Sequence, residues 1–161
     1  MSNEDFLFRS ASDLSTLLTT GQLSSIELTQ AFINRAKRYD RLNAYITLDE
    51  EGALQQAKAA DNEIQRGAIR GPLQGLPVAV KDQFWTKGVR STGGSRILAD
   101  FVPNDDATVI TNLRNAGAIV LGKTNMTEFA ITGFSHRYST PRNPWNLDTY
   151  TGGSSSGSGA A

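Results

Sequence analysis

The pattern that most constrains the fold is a helix, a glycine and a short apolar strand in succession, which lies in the second half of the chain. Ala107–Ala116 has the apolar spacing of an amphipathic helix, and Gly117 is the glycine that commonly ends one. Ala118–Leu121 is a continuous apolar run, Gly122 is expected to turn the chain, and Thr124–Phe129 is expected to begin another helical segment. This alternation predicts an α/β fold in which helices cover a sheet.

A second buried strand is predicted at Val78–Val80, after the turn-forming segment Gly71–Gly75. Its continuous apolar run is typical of a strand covered on both faces. Lys81 follows at the end of this strand. A lysine in this position either extends to solvent or stays in the interior with a lowered pKa, where the neutral amine can act as a base.

Helical patterns precede this strand. Three helices and one short strand or extended link are predicted there: Asp13–Thr20, Ser24–Tyr39, Asp49–Arg66, and Ala44–Leu48 for the extended segment. Ser24 and Glu27 have the spacing of a capping box at the start of the second helix. We therefore divide the chain into an N-terminal helical segment, residues 1–66, and the first part of an α/β domain, residues 67–161.

The last eleven residues, Thr151–Ala161, contain four glycines and four serines. On composition alone this run is a flexible linker or tail. Two features favour a functional loop instead: the run follows an ordered-looking turn, Pro141–Asn146, and Lys81 is available as a partner for its hydroxyls. Glycine allows backbone conformations closed to other residues, and serine presents hydroxyl groups, so such a loop can direct several polar groups to one point.

The segment Gly117–Thr124 matches the phosphate-loop pattern of glycine, four residues, glycine, lysine and threonine. In a phosphate loop the four intervening residues wrap phosphate with their N–H groups. Here those residues are the apolar run Ala118–Leu121, whose N–H groups are expected to pair within the sheet. We therefore expect no nucleotide binding.

Composition excludes several classes of function. Sixteen basic and sixteen acidic residues balance, so there is no overall field to attract nucleic acid or an anionic membrane. No apolar stretch approaches the ~20 residues that span a bilayer, and the acidic start Met1–Asp5 is unlike a secretory signal, so we expect a cytoplasmic protein. The absence of cysteine and the single histidine, His136, argue against a metal site, and no cofactor is expected.

Four segments, taken in order, resemble the amidase signature family. Gly75–Asp82 is similar to the family's lysine strand, and Leu113–Phe129 is similar to its middle block. Asn143–Asn146 and Gly152–Ser158 are similar to its glycine/serine signature. The resemblance covers residues 71–161. It implies an incomplete amidase-signature fold, with a mixed sheet flanked by helices and preceded by N-terminal helices.

The resemblance also implies hydrolysis of a carboxylic amide, or transfer of its nitrogen, by a Ser-cisSer-Lys triad. Lys81 matches the general base, and Ser154 matches the bridging serine, which is usually preceded by a cis peptide bond. Gly152, Gly153 and Ser155 would support the loop and the substrate. A neutral lysine can draw a proton from a nucleophilic serine through an intermediate hydroxyl and later return it to the leaving amine.

The nucleophile itself is expected to be missing from these 161 residues. In the family it lies a couple of dozen residues beyond the bridging serine, in a Gly-Gly-Ser turn that also supplies the oxyanion hole. Ser95 has similar neighbours, but it precedes Ser154 and belongs to a loop of small residues, so we do not expect it to be the nucleophile. Ser156 occupies a position where glycine is common in the family. Without nucleophile and oxyanion donors, the 161 residues alone are expected to be inactive.

Two alternatives remain open beside an amidase. One is the A subunit of a glutamine-dependent aminoacyl-tRNA amidotransferase, which shares the triad and takes ammonia from glutamine. The other is a non-catalytic remnant that serves as a binding module. The expected partners are a small-molecule amide in the full-length enzyme and either a second copy or a partner subunit, without direct binding of nucleic acid or membrane.

Overall fold

The structure, a computed structural model, describes residues 5–131 and 133–161. The α-helices in this part of the chain are α1 (Ala11–Thr19), α2 (Ser25–Arg38), α3 (Glu50–Gln65), α4 (Thr108–Asn115) and α5 (Ser156–Ala160). The strands are β1 (Tyr45–Leu48), β2 (Pro77–Lys81), β3 (Ile119–Thr124), β4 (Arg142–Asn143) and β5 (Asn146–Tyr150). Short 3₁₀ turns lie at Asp5–Phe8, Asp40–Leu42 and Glu128–Ala130.

The main sheet has the strand order β1–β3–β2, and β3 is its centre. β3 pairs antiparallel with β1 and parallel with β2, so the sheet is mixed, and it is flanked by helices as expected. β1 comes from the N-terminal segment, whereas β2 and β3 come from residues 67–161. All six residues of β3 are buried, which places this strand at the centre of the protein.

Helices cover both faces of the sheet. On one face, Ile33 of α2 and the alanines of α3 pack against Ile119 and Leu121 of β3. On the other face, Ile110 of α4 packs against Val80 and Val120. The small alanine side chains allow α3 to approach the sheet closely. The central strand β3 is thereby held between two packed layers.

Four of the predicted helices, those that correspond to α1, α2, α3 and α4, are confirmed to within two residues at each end. α2 begins with the predicted capping box, in which the Ser24 hydroxyl accepts from the Glu27 N–H and the Glu27 carboxylate accepts from the Ser24 N–H. The hydrogen bonds from Ser24 lower the pKa of Glu27. α1 begins earlier than predicted because Ser10 caps it by accepting from the Asp13 N–H.

Two predictions around β3 are wrong. Gly122 does not turn the chain, because β3 continues through it to Thr124. The Thr47 carbonyl of β1 lies where a Cβ at position 122 would be, so glycine is required here for strand packing. Thr124–Phe129 is not a helix: the strand runs to Thr124, and one 3₁₀ turn follows at Glu128–Ala130.

The prediction that Val78–Val80 is covered on both faces is also wrong. β2 lies at the edge of the sheet within the described residues. Val80 is buried, whereas the other four residues of the strand are half-buried. The continuous apolar run arises because α4 covers one side of β2, although nothing in the described chain pairs with its outer edge.

The end of the chain is ordered and contains two further elements. β4 and β5 form an antiparallel hairpin around the predicted turn, and its tip carries Trp145, which is 96% exposed. Ser156–Ala160 forms the short helix α5. The interpretation of the glycine/serine run as a flexible linker is therefore wrong.

Candidate functional site

The predicted pair Lys81 and Ser154 meets at the end of β2. Lys81 Nζ donates a hydrogen bond of 2.6 Å to Ser154 Oγ, although 73 residues separate the two along the chain. Lys81 is the last residue of β2 and is paired in register with Thr124 of β3. The amine is half-buried, and desolvation lowers its pKa below the ordinary value of 10.5. A lowered pKa increases the fraction of neutral amine, the form that can accept a proton.

The segment after β3 holds Ser154 in place. The N–H of Thr127 donates to the Ser154 carbonyl at 3.2 Å. The Gly153–Ser154 peptide bond is cis, as the family resemblance implies. A Cβ at Gly153 would lie 3.2 Å from the Thr127 methyl group, so glycine leaves room for the chain to pass this side chain. The position of the Ser154 hydroxyl thus depends on residues that follow the central strand.

Helix α5 fastens the glycine/serine run to the same segment. The Gly157 N–H donates to the Asn125 carbonyl at 2.8 Å. A Cβ at Gly157 would overlap the Ala44 carbonyl and the Asn125 N–H, so only glycine allows this approach. The hydroxyls of Ser158 and Thr124 are hydrogen-bonded at 2.9 Å. Since Thr124 is the register partner of Lys81, α5 is tied to the strand position that carries Lys81.

Ser156 and Ser155 have different environments. Ser156 is buried, and its hydroxyl donates to the Gly152 carbonyl, while its own carbonyl accepts from the Thr151 hydroxyl at 2.6 Å. A serine at position 156 therefore closes the loop by its own hydrogen bonds. Ser155 is exposed and its side chain makes no capping hydrogen bond to α5. The Ser155 carbonyl accepts from the Gly159 N–H at 3.2 Å.

An open cavity of about 350 Å³ lies beside Lys81. Its lining comes from β2, α4 and the start of α5, and includes Val78, Val80, Val109, Leu113, Ser155 and Ser158. The walls are mostly apolar, and the polar residues among them are Lys81, Gln83, Ser155 and Ser158. The protein atoms that bury part of Lys81 are the cause of its lowered pKa.

Ser95 lies in a different environment from Ser154. It is fully buried, and its hydroxyl donates to the Glu128 carboxylate at 2.5 Å while accepting from the Ile97 N–H at 3.1 Å. These bonds fasten one loop to another. They occupy the hydroxyl and give it no contact with Lys81, so Ser95 remains an unsuitable nucleophile.

Sequence reasoning missed a buried polar cluster behind Lys81. Lys123 of β3 is fully buried, and its amine donates to the Phe84 carbonyl at 2.5 Å and to the Ser91 hydroxyl at 2.6 Å. Its Nζ lies 3.8 Å from Oδ1 of Asp82, which is also fully buried. Burial lowers the pKa of Lys123 to about 8, and the nearby Asp82 carboxylate limits this decrease. Two signals were present: a carboxylate next to Lys81, and a lysine within an apolar strand.

The position of Lys123 also explains why the phosphate-loop pattern is misleading. The residues between its two glycines include Ile119–Leu121, which belong to β3, as predicted. The lysine side chain is directed into the interior cluster. Among residues 5–131 and 133–161, no group of three or more His, Cys, Asp or Glu side chains is placed to hold a metal ion, and none of the helices described is long and apolar enough to cross a membrane.

Comparison with known proteins gives consistent results. A family model described as Amidase matches residues 27–161. The glutamyl-tRNA(Gln) amidotransferase A subunit from Azoarcus sp. (strain BH72) is 52% identical to this chain over 155 residues, and its counterpart from Salinispora tropica is 47% identical over 156 residues. Both alignments cover 94% of this chain and 32% of the relative.

A solved structure, the native peptide amidase from Stenotrophomonas maltophilia, matches with a TM-score of 0.91 and 39% identity. That match covers 98% of this chain and 34% of the solved chain. The present chain thus spans about a third of the length of each relative, 32% and 34% respectively. The family-model match, residues 27–161, includes every residue of the site described above.

Proposed function

This chain belongs to the amidase family, and from that premise we propose that it carries the general base and the bridging hydroxyl of an enzyme that cleaves carboxylic amides. The observation that carries the proposal is the 2.6 Å contact between Lys81 Nζ and Ser154 Oγ. In this proposal Lys81 is the base, Ser154 is the relay, and the nucleophilic serine lies outside the 161 residues.

The proton path follows from these roles. As the nucleophilic hydroxyl attacks the amide carbon, its proton passes to Ser154 Oγ and the Ser154 proton passes to neutral Lys81 Nζ. The C–N bond then breaks while Lys81 returns a proton to Ser154, and Ser154 gives its own to the leaving nitrogen. Water releases the acyl group from the nucleophile by the same relay. The lowered pKa of Lys81 supports its role in the first step, which requires an uncharged amine.

A second candidate is the A subunit of a glutamine-dependent aminoacyl-tRNA amidotransferase. It is favoured by the curated relatives with that name, of which the Azoarcus protein is 52% identical, whereas the solved peptide amidase is 39% identical. In this case the amide is glutamine, and the ammonia released by the relay is transferred to an acid linked to tRNA. The relay is common to both candidates, and partner subunits would supply the acceptor site.

Substitution of the two relay residues in the full-length protein tests the proposal. Lys81→Ala and Ser154→Ala are each expected to reduce amide hydrolysis by at least about a hundredfold, the usual scale for lost acid–base catalysis. Lys58→Ala, which removes an exposed lysine on α3, is the control. Near-native turnover by either relay variant would refute the role given to that residue. Glutaminase activity that depends on a partner subunit would favour the second candidate.

A further inference from the structure

The buried cluster behind Lys81 has no part in the proton relay described above, yet it connects to both members of the relay. We propose that Lys123 and Asp82 are positioning residues. Their buried ion pair keeps the Lys81 amine and the Ser154 hydroxyl at hydrogen-bonding distance from each other. This inference rests on the proposed function for its catalytic meaning, although its geometric content does not depend on turnover.

The first connection leads from the pair to Lys81. Asp82 follows Lys81 directly, and its N–H donates to the Thr124 carbonyl at 3.1 Å, which closes the pairing of β2 with β3. The chain then turns, with the Phe84 N–H donating to the Lys81 carbonyl at 3.1 Å. Lys123 donates to the Phe84 carbonyl on the far side of this turn. The turn that ends the lysine strand is therefore fastened at both ends.

The second connection leads from the pair to Ser154. Oδ2 of Asp82 accepts from the Thr92 N–H at 2.9 Å, the Thr92 hydroxyl at 2.5 Å and the Gly94 N–H at 3.2 Å. The carbonyl of Gly93, between them, accepts from the Phe129 N–H at 2.8 Å. Two residues earlier, the Thr127 N–H donates to the Ser154 carbonyl. A continuous path of hydrogen bonds and covalent backbone thus runs from the Asp82 carboxylate to the bridging serine.

The charges in this cluster argue against a role limited to filling space. Both side chains are 0% exposed, and burying an ion pair generally contributes no more stability than apolar residues of the same volume. In some proteins a buried ion pair instead fixes the arrangement of the groups around it, because displacement leaves a charge without its partner. A relay that operates over a 2.6 Å contact requires such fixed geometry, since small misplacements of reacting groups cost large factors in rate.

Variants that preserve the net charge test the inference. Lys123→Met combined with Asp82→Asn removes both charges at once, and Thr92→Val removes one hydroxyl donor to Asp82 with little change in shape. The matched control is Lys37→Met combined with Glu50→Gln, since Lys37 and Glu50 form an exposed ion pair elsewhere. Thr92→Val decides the question if the double variant does not fold.

The first readout is the pKa of Lys81 itself, measured by competitive acylation of amines across pH with mass spectrometry of the peptide that contains Lys81. In the folded test variants this pKa is expected to rise toward the ordinary value of 10.5, because a loosened turn exposes the amine to water. The control is expected to match the wild type. An unchanged Lys81 pKa in folded test variants, with or without a loss of thermal stability, would overturn the inference.

The second readout is amide turnover. The test variants are expected to lose about tenfold or more in kcat while KM changes less than about threefold, because misplaced relay groups affect the chemical step. If the Lys81 pKa shifts but the wild-type protein cleaves no amide, the positioning role stands and the proposed function fails. If amides are cleaved and neither kcat nor the Lys81 pKa changes, the proposed function stands and the positioning role fails.

Discussion

Lys123 makes the folding stability of this protein depend on pH in a way that a single substitution removes. Its folded pKa of about 8 lies well below the ordinary value of 10.5, because the amine is buried. Between these two pH values the unfolded chain holds a proton on Lys123 that the folded chain has lost. Since the unfolded state then binds more protons, the free energy of unfolding must rise with pH in this window.

The size of the effect follows from the two pKa values. A difference of one pKa unit is worth about 1.4 kcal/mol. The whole rise in the free energy of unfolding is therefore about 3 kcal/mol, and about 2 kcal/mol of it falls between pH 7 and 9.5. Lys123→Met abolishes this contribution because methionine does not titrate. We therefore expect the wild type to gain about 2 kcal/mol relative to the variant over that range.

Urea denaturation followed by circular dichroism at several pH values measures this difference. The two proteins are compared by the slope of their free energy of unfolding against pH, not by its absolute value. The reason is that Lys123→Met also deprives the Asp82 carboxylate of its partner and lowers stability at every pH in the range. The pKa of Tyr45 is raised by burial, but Tyr45 is present in both proteins, so its contribution to the pH dependence cancels in the comparison. Parallel stability curves for wild type and variant would show that Lys123 keeps an ordinary pKa when folded, which would refute the reasoning.

Three further outcomes are expected. Gly157→Ala should destabilise the chain by about 1–3 kcal/mol, because its methyl group would overlap the Ala44 and Asn125 backbones. Gly159→Ala is the control: there is room for its methyl group, so the melting temperature should stay unchanged or rise slightly. Ser95→Ala should lower stability by about 1–2 kcal/mol, because the hydrogen bond to the Glu128 carboxylate is lost. Amide turnover should stay within about tenfold of the wild type. If turnover falls as far as in the Lys81 or Ser154 variants, Ser95 becomes a candidate nucleophile again. The rate of amide cleavage by the full-length protein should rise with pH as Lys81 loses its proton, with a midpoint below 10.5; a rate independent of pH up to that value would argue against a lysine base.

The elements that the sequence predicts well depend on local signals. Capping residues and apolar spacing locate the first four helices, and the resemblance to a known family brings Lys81 and Ser154 together before any coordinates are considered. The cis bond before Ser154 follows from the same resemblance. These features can be predicted because the residues that cause them are close in sequence or belong to a familiar pattern.

The elements predicted wrongly depend on partners that are distant in sequence. Gly122 has the local character of a turn residue, but its conformation is determined by the Thr47 carbonyl across the sheet. Thr124–Phe129 resembles the start of a helix, but the Phe129 N–H is bound to Gly93 instead, and Phe129 has a positive φ of 48°. The role of Lys123 likewise depends on Phe84 and Ser91, which no spacing rule connects to it.

The cluster around Lys123 is assembled from three separate stretches of the chain: the turn after β2, the loop at Ser91–Gly94, and the central strand. A chimera that takes only one of these stretches from a relative would place a charged group from one parent among buried residues from the other parent. Recombination between family members that differ at the residues of this cluster should therefore fail when the crossover separates residue 82 from residue 123.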